Sequence, residues 1–334
     1  MADFSKPSAR GPAPVGVRTV TLAGLTTEIW YPARSGSDQN KEPARYLLRD
    51  TIPEAHRALV PESFGFTSDA FRDLPVEPGA PLPVVVFFHG YGLFRAQSAP
   101  LATHWASRGF IVVAPDFTGI TLADVMQEKA RPDLNALSGK VLDALKSPPA
   151  ELEFLEGRLD ASRMALVGHS MGADLIAPLA ARPEVKQLIA LAEAGTTSAP
   201  RKFSTLVIGG THDRVEPHER QVKGFARSPR PKRFVAIESG GHLGFSIACS
   251  IGPAPGGALG VLLESGVPLK GFVGKLAKDG CPASDLAPEK VWEITRYATT
   301  AALEETLLCS DRSAAALKNL QKVFPEVSAY QDNP

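Results

Sequence analysis

From residue 83 onward the chain repeats one pattern: a short apolar run with little alternation, then a stretch compatible with a helix. The runs are "PVVVFFHG" (83–90), "FIVVAPD" (110–116), "RMALVGHS" (163–170), "KQLIALAEA" (186–194), "FSTLVIGG" (203–210) and "KRFVAIES" (232–239). A strand with one wet face alternates apolar and polar residues, so runs this uniformly apolar belong to strands covered on both faces. Helix-compatible segments at 97–108, 133–146, 171–182 and 216–227 fall between most of them. Strand and helix in alternation predict an α/β, doubly wound and mostly parallel sheet, whose sites lie at the carboxyl ends of its strands.

Ahead of this region, "VRTVTL" (17–22) and "TTEIWYP" (26–32) are rich in β-branched residues and are joined through Ala-Gly, which predicts an antiparallel hairpin. Residues 33–82 are polar, punctuated by proline and weakly helical around 43–60, and read as an inserted surface excursion that could cover a site. The tail 283–324 reads as helices, with Val291, Ile294, Ala298 and Ala302 on one stripe that would pack on the sheet. The glycine-rich piece "SIGPAPGGALG" (250–260) reads as irregular and mobile. Residues 1–334 are therefore expected to form a single domain, with 33–82 and 283–324 as its additions.

One junction carries a chemical signature. In "ALVGHSMGADL" an apolar strand runs into a helix-like segment through Gly168-His169-Ser170-Met171-Gly172. A strand that turns this sharply into a helix strains the residue at the corner and needs small residues beside it. Ser170 at such a corner is a candidate nucleophile. A serine hydroxyl also needs a general base and a group that orients the base, and in this kind of sheet they follow in the order serine, acid, histidine. Asp213, in "THDRVEPH" after the fifth run, and His242, after "FVAIESGG", stand just past strand ends in that order. Glu193 and Asp116 also follow strands, but the expected order assigns them to loop hydrogen bonding or the substrate rim. His212 and His218 flank Asp213 and are expected to tune its loop. His169 points away from the corner, and is counted with Tyr91 and Gly92 as a substrate contact.

The tetrahedral oxyanion of acyl transfer needs two backbone N–H donors. Met171, next to the serine, supplies one. The loop after "PVVVFFHG" supplies the other, and Tyr91 is the expected donor, with a ring able to clamp an acyl group.

Charge narrows the partners. Thirty-six lysines and arginines balance 36 aspartates and glutamates, so no overall field favours nucleic acid or an anionic surface. No window approaches the roughly eighteen apolar residues of a spanning helix, and no integral membrane contact is expected. The N-terminal "MADFSKPSARGPAPVG" has neither an apolar signal core nor an amphipathic basic pattern. A secreted protein with its export signal removed is favoured over a cytoplasmic one, and a monomer over an oligomer. Cys249, Cys281 and Cys309 have no CxxC spacing, so no metal site is expected. Their odd number fits one disulfide and a free thiol in an exported chain, or three thiols in a cytosolic one.

These blocks together resemble serine α/β-hydrolases of the platelet-activating-factor acetylhydrolase and dienelactone-hydrolase-like group. "VVVFFHGYGLFRAQSAPLATHWASRGFIVVAPD" looks like that group's oxyanion-loop block, "LDASRMALVGHSMGAD" like its elbow, "TLVIGGTHDRV" like its acid loop and "ESGGHLGFSIAC" like its histidine loop. The similarity covers roughly 16–32 and 83–308. The blocks are also similar to bacterial cutinases and polyester (PET) hydrolases, where an aromatic residue occupies the place of Tyr91. Three features depart from the cutinase pattern: the long 33–82 excursion, Ala173-Asp174 beyond the elbow, and "AEAGTT" (192–197), which lacks an aromatic clamp. Ser170, where a dienelactone hydrolase carries cysteine, argues against that activity. The resemblance implies a cofactor-independent carboxylic ester hydrolase acting on short- to medium-chain acyl esters, acetylated lipids included. A small-molecule or polymeric ester is the expected partner. Polyester or cutin hydrolysis with the same three residues is the first alternative, an amidase or peptidase the second, and a non-catalytic binding module the third. The resemblance further implies that Cys249 pairs with Cys281, leaving Cys309 free.

Overall fold

The structure, a computed structural model, describes residues 2–194, 203–252, 256–279 and 281–333. Strands β1 (Val15–Leu22) and β2 (Leu25–Pro32) form the expected hairpin, and β3 (Pro43–Leu47), α1 (Glu54–Arg57) and β4 (Gly65–Arg72) follow. The alternating region supplies β5 (Leu82–Phe88), α2 (Ala99–Ser107), β6 (Ile111–Pro115), α3 (Leu122–Met126), α4 (Leu134–Lys146), β7 (Leu159–His169), α5 (Met171–Ile176), β8 (Val185–Leu191), β9 (Ser204–Gly210), α6 (His218–Arg227) and β10 (Lys232–Ile237). After it come α7 (Gly257–Glu264), α8 (Gly271–Asp279), α9 (Pro288–Leu308), α10 (Asp311–Lys318), α11 (Leu320–Val323) and β11 (Val327–Asn333).

All the strands join one sheet in the order β11-β10-β9-β8-β7-β5-β6-β2-β1-β4-β3. Strands β5 to β10 pair in parallel, while β2 lies antiparallel to β6 and β11 antiparallel to β10. Alternate residues of the central strands go to opposite faces. Val85, Phe87, Val112, Val167 and Ile189 pack with Trp105 of α2 and Ile294, Ala298 and Ala302 of α9, as the stripe on α9 requires. Val84, Val86, Phe88, Ile111, Val113 and Leu166 pack with Val141, Leu142 and Leu145 of α4. The uniform hydrophobicity of the runs is the consequence of these two covered faces. Because β5 lies between β6 and β7, the chain leaves its C-terminal end in one direction and returns to the other side. That switch opens a crevice at the carboxyl ends of β5 and β7.

Three expectations need correction. Residues 33–82 are not a weakly helical excursion: β3 and β4 extend the sheet beyond β1, and Tyr46, Leu48, Ile52, Val60 and Ala70 are buried in the same core as Val17 and Trp30. The strands escape notice because β3 is five residues long, begins at a proline and alternates buried Ala44 and Tyr46 with the partly exposed Pro43 and Leu47 and the exposed Arg45. The glycine-rich piece is not irregular to its end, since Gly257 begins α7 and buries Ala258, Leu259, Val261 and Leu262; residues 253–255 lie outside the described residues. Finally, β11 forms an unexpected edge strand whose pattern buries only Val327.

Candidate active site

Ser170 occupies the corner between β7 and α5 with φ 53° and ψ −128°, a conformation that L-residues hold only under surrounding constraint. Its N–H donates to the Leu191 carbonyl at 2.9 Å, and its carbonyl accepts from the Ala173 N–H at 2.7 Å. The flanking glycines are fixed by close approach. A Cβ at Gly168 would come within 2.4 Å of the Gly172–Ala173 backbone, and one at Gly172 within 2.1 Å of the Phe88 carbonyl oxygen.

Asp213 and His242 follow β9 and β10, and both are buried. His242 Nδ1 lies 2.9 Å from Asp213 Oδ2 and 3.1 Å from Oδ1. A carboxylate only accepts, so Nδ1 carries the proton and Nε2 is the nitrogen with a free lone pair. The Asp213 carboxylate is itself held in place: Oδ1 accepts from the N–H groups of Val215 at 2.9 Å and Glu216 at 2.7 Å, and Oδ2 from Gln221 Nε2 at 3.2 Å. Gln221 was invisible in the sequence, where it reads as an ordinary polar helix residue. It fits because a glycine, Gly209, faces it: a Cβ there would lie 1.4 Å from its Oε1.

The loop after β5 is pinned by two further residues that sequence patterning does not single out. His89 Nε2 accepts from the Phe117 N–H at 2.9 Å, so its Nδ1 donates to the Gly90 carbonyl at 2.9 Å. Burial lowers its pKa, which keeps the ring neutral as this double role demands. Gln97 Oε1 accepts from the Gly90 N–H at 2.8 Å. No acceptor among the described residues takes the Tyr91 N–H. Met171 opens α5, so its N–H is one of those at a helix start that lack an intrahelical acceptor. Among the described residues, neither expected oxyanion donor has an acceptor.

Two residues expected to contact substrate are buried. His169 is fully buried, with Nε2 3.0 Å from the His242 carbonyl oxygen and its ring tilted against that of His242 at 5.1 Å. Gly92 is buried as well; its N–H donates to the Ile120 carbonyl at 2.8 Å, and a Cβ would meet Val273 Cγ2 at 2.9 Å. These residues shape the site from within. Tyr91 remains half-buried, its ring edge-on to Phe272 at 6.0 Å with the Arg131 guanidinium 5.6 Å from its centre. Phe272, 45% exposed on α8, is thus an aromatic neighbour that the sequence did not reveal. The expected lack of a clamp in "AEAGTT" falls partly on 195–197, outside the described residues.

The remaining candidates have other partners. Asp116 accepts from the Arg95 N–H and guanidinium, each at 2.6 Å. Glu193 accepts from the Ala194 N–H at 2.6 Å, and burial pushes its pKa up to about 8. His212 meets Asp285, and His218 packs on Phe234. Cys249 and Cys281 form a disulfide, and Cys309 is free and exposed.

Comparison with known proteins agrees with this architecture. Residues 72–195 match the model of the Chlorophyllase family. Cutinase est2 of Thermobifida alba is 31% identical over 159 residues, which are 46% of this chain and 50% of the cutinase. A cutinase of Thermobifida fusca is 32% identical over 142 residues, 42% of this chain and 44% of its own length. Chlorophyllase-2 of Arabidopsis thaliana is 33% identical over 98 residues, 29% of each chain. The chain thus spans about half the length of the cutinases it matches. A ferulic acid esterase from Streptomyces cinnamoneus superimposes with a TM-score of 0.64 at 20% identity, covering 90% of this chain and 92% of the esterase. The fold is the α/β-hydrolase fold, and the sequence is related to the cutinases.

Proposed function

We propose that the protein is a carboxylic ester hydrolase that works through an acyl-enzyme on Ser170. The observation that carries this reading is the His242 Nδ1 to Asp213 Oδ2 contact of 2.9 Å at the same sheet edge as the strained serine corner. Asp213 orients the imidazole and stabilises its protonated form. His242 Nε2 takes the Ser170 hydroxyl proton as Oγ attacks the ester carbonyl, then delivers it to the leaving alcohol. The N–H groups of Tyr91 and Met171 receive the oxyanion, and one such donor contributes about 3–4 kcal/mol to lowering the barrier. Water then repeats the cycle on the acyl-enzyme. The relation to cutinases and the fold shared with a ferulic acid esterase support ester chemistry.

Short- to medium-chain acyl esters are the proposed substrates. No helix among the described residues is long and apolar enough to cross a membrane. The Cys249–Cys281 disulfide supports action in an oxidising, extracytoplasmic compartment. A fluorophosphonate probe tests the assignment: it should label Ser170 alone and abolish ester turnover in proportion to labelling. Labelling at another serine, or none at all, would overturn it.

A further inference from the structure

One carboxylate touches the immediate neighbours of both Asp213 and His242. Asp285 lies between α8 and α9, with its side chain only 8% exposed. Its Oδ1 stands 3.3 Å from His212 Nδ1 and 3.4 Å from the Arg214 guanidinium, and these two residues flank Asp213. Its Oδ2 presses on Gly241, the residue before His242: a Cβ at Gly241 would come within 2.1 Å of it. The backbone around this contact is cross-tied. The Leu286 N–H donates to the Ser239 carbonyl at 2.8 Å, the Ser239 N–H to Thr211 Oγ1 at 2.9 Å and the His212 N–H to the Gly240 carbonyl at 3.0 Å. The segment that carries Asp285 is bound at its start by the disulfide from Cys281 to Cys249, downstream of His242 on the histidine loop.

Packing alone would favour an apolar residue at this position. A carboxylate nearly removed from water, with Oδ2 lacking any hydrogen-bond partner among the described residues, is a costly way to fill space. What the carboxylate does, and an apolar group would not, is hold His212 and Arg214 on one loop while abutting Gly241 on the other. We infer that Asp285 is a positioning residue: the strap 281–288 uses it to set the spacing between the acid loop and the histidine loop. This inference rests on the reading of Ser170, His242 and Asp213 given above.

Asp285→Ala and Asp285→Asn test it, with His212→Gln approaching the same contact from its half-exposed side. The readouts are kcat and KM on p-nitrophenyl acetate, the rate of fluorophosphonate labelling, the melting temperature, and the downfield proton resonance of His242 Nδ1–H. In Asp285→Ala, kcat and the labelling rate should each fall about tenfold while KM changes less than about twofold, and the resonance should shift or broaden. His212→Gln should reproduce part of the loss, and Asp285→Asn, which keeps a hydrogen-bonding oxygen, should recover part of it. Full kcat and an unchanged resonance in folded Asp285→Ala would overturn the inference and leave the esterase reading intact. Absence of Ser170-dependent turnover in the unaltered protein would instead overturn that reading, and the resonance would still decide whether Asp285 positions His242. A change in melting temperature alone would also count against positioning.

Discussion

His169 holds the main chain of His242: its Nε2 lies 3.0 Å from the His242 carbonyl oxygen, and the two rings are 5.1 Å apart. A carbonyl only accepts, so Nε2 carries the proton. Burial drives the pKa of His169 down to about 3, and the ring stays neutral. The residue before Ser170 thereby anchors the main chain that carries the imidazole proposed to serve it. His169→Ala should lower kcat roughly tenfold with little change in KM, and His169→Gln, which retains a donor, should recover part of the loss. Steady-state kinetics on p-nitrophenyl acetate check this, and an unaltered kcat in His169→Ala would remove the anchoring role.

Two glycine substitutions, one at the serine corner and one in α4, should have opposite outcomes. Gly172→Ala forces a methyl to within 2.1 Å of the Phe88 carbonyl oxygen, and overpacking of this kind costs about 1–3 kcal/mol. Gly139 lies within α4, where the nearest atom to an added methyl is 3.9 Å away. Gly139→Ala should therefore stabilise by about 0.5–1 kcal/mol through helix propensity. Urea unfolding of the two variants measures both signs.

Tyr91 separates the contribution of its main chain from that of its ring. Tyr91→Ala keeps the N–H proposed to receive the oxyanion but removes the partner of Phe272 and Arg131. Turnover of acetyl esters should stay within about threefold of the parent enzyme, because the loss of an oxyanion donor would cost a hundredfold or more. Acyl-chain preference should change more than the acetate rate. Rates on p-nitrophenyl esters of increasing chain length provide the comparison.

Acid sensitivity should trace partly to His104. Burial lowers its pKa from 6.5 to about 4, with Nε2 2.8 Å from the Pro7 carbonyl oxygen. Between these values the unfolded chain binds more protons than the folded one. Stability contributed by this group is complete above about pH 6.5 and falls as pH drops towards 4, by at most about 1.4 kcal/mol per pH unit. Glu193 acts with the opposite sign: its folded pKa is raised from 4.5 to about 8, so its contribution is complete below pH 4.5 and lost as pH rises towards 8. His104→Gln can still donate to Pro7 and should flatten the acid limb of melting temperature against pH. Glu193→Gln should flatten the limb between pH 4.5 and 8.

Much of this arrangement is legible in the sequence because two-sided burial forces uniformly apolar strands and because a strained corner demands small neighbours. The six central strands follow from the first constraint, while the N-terminal hairpin follows from its β-branched residues and Ala-Gly junction and the α9 stripe from helical spacing. Ser170 follows from the second, and Asp213 and His242 from their places after strands. Strands β3 and β11 at the edges, and β4 beside β3, are less legible because they bury only part of their residues, so Arg45, Thr67 and Ser328 interrupt the pattern. The supporting residues Gln97, Gln221 and Asp285 leave no local signal at all. Their partners, at Gly90, Asp213, His212 and Gly241, are brought to them by the folded chain, and His169 and Gly92 could not be recognised as interior until the overlying residues were in place.

The central claim is that Ser170 is the nucleophile activated by the His242–Asp213 pair. Turnover of p-nitrophenyl acetate by Ser170→Ala, measured on protein whose melting temperature matches the parent, tests it most directly. The rate should fall roughly a thousandfold or more. A folded Ser170→Ala variant that keeps most of its activity would contradict the claim.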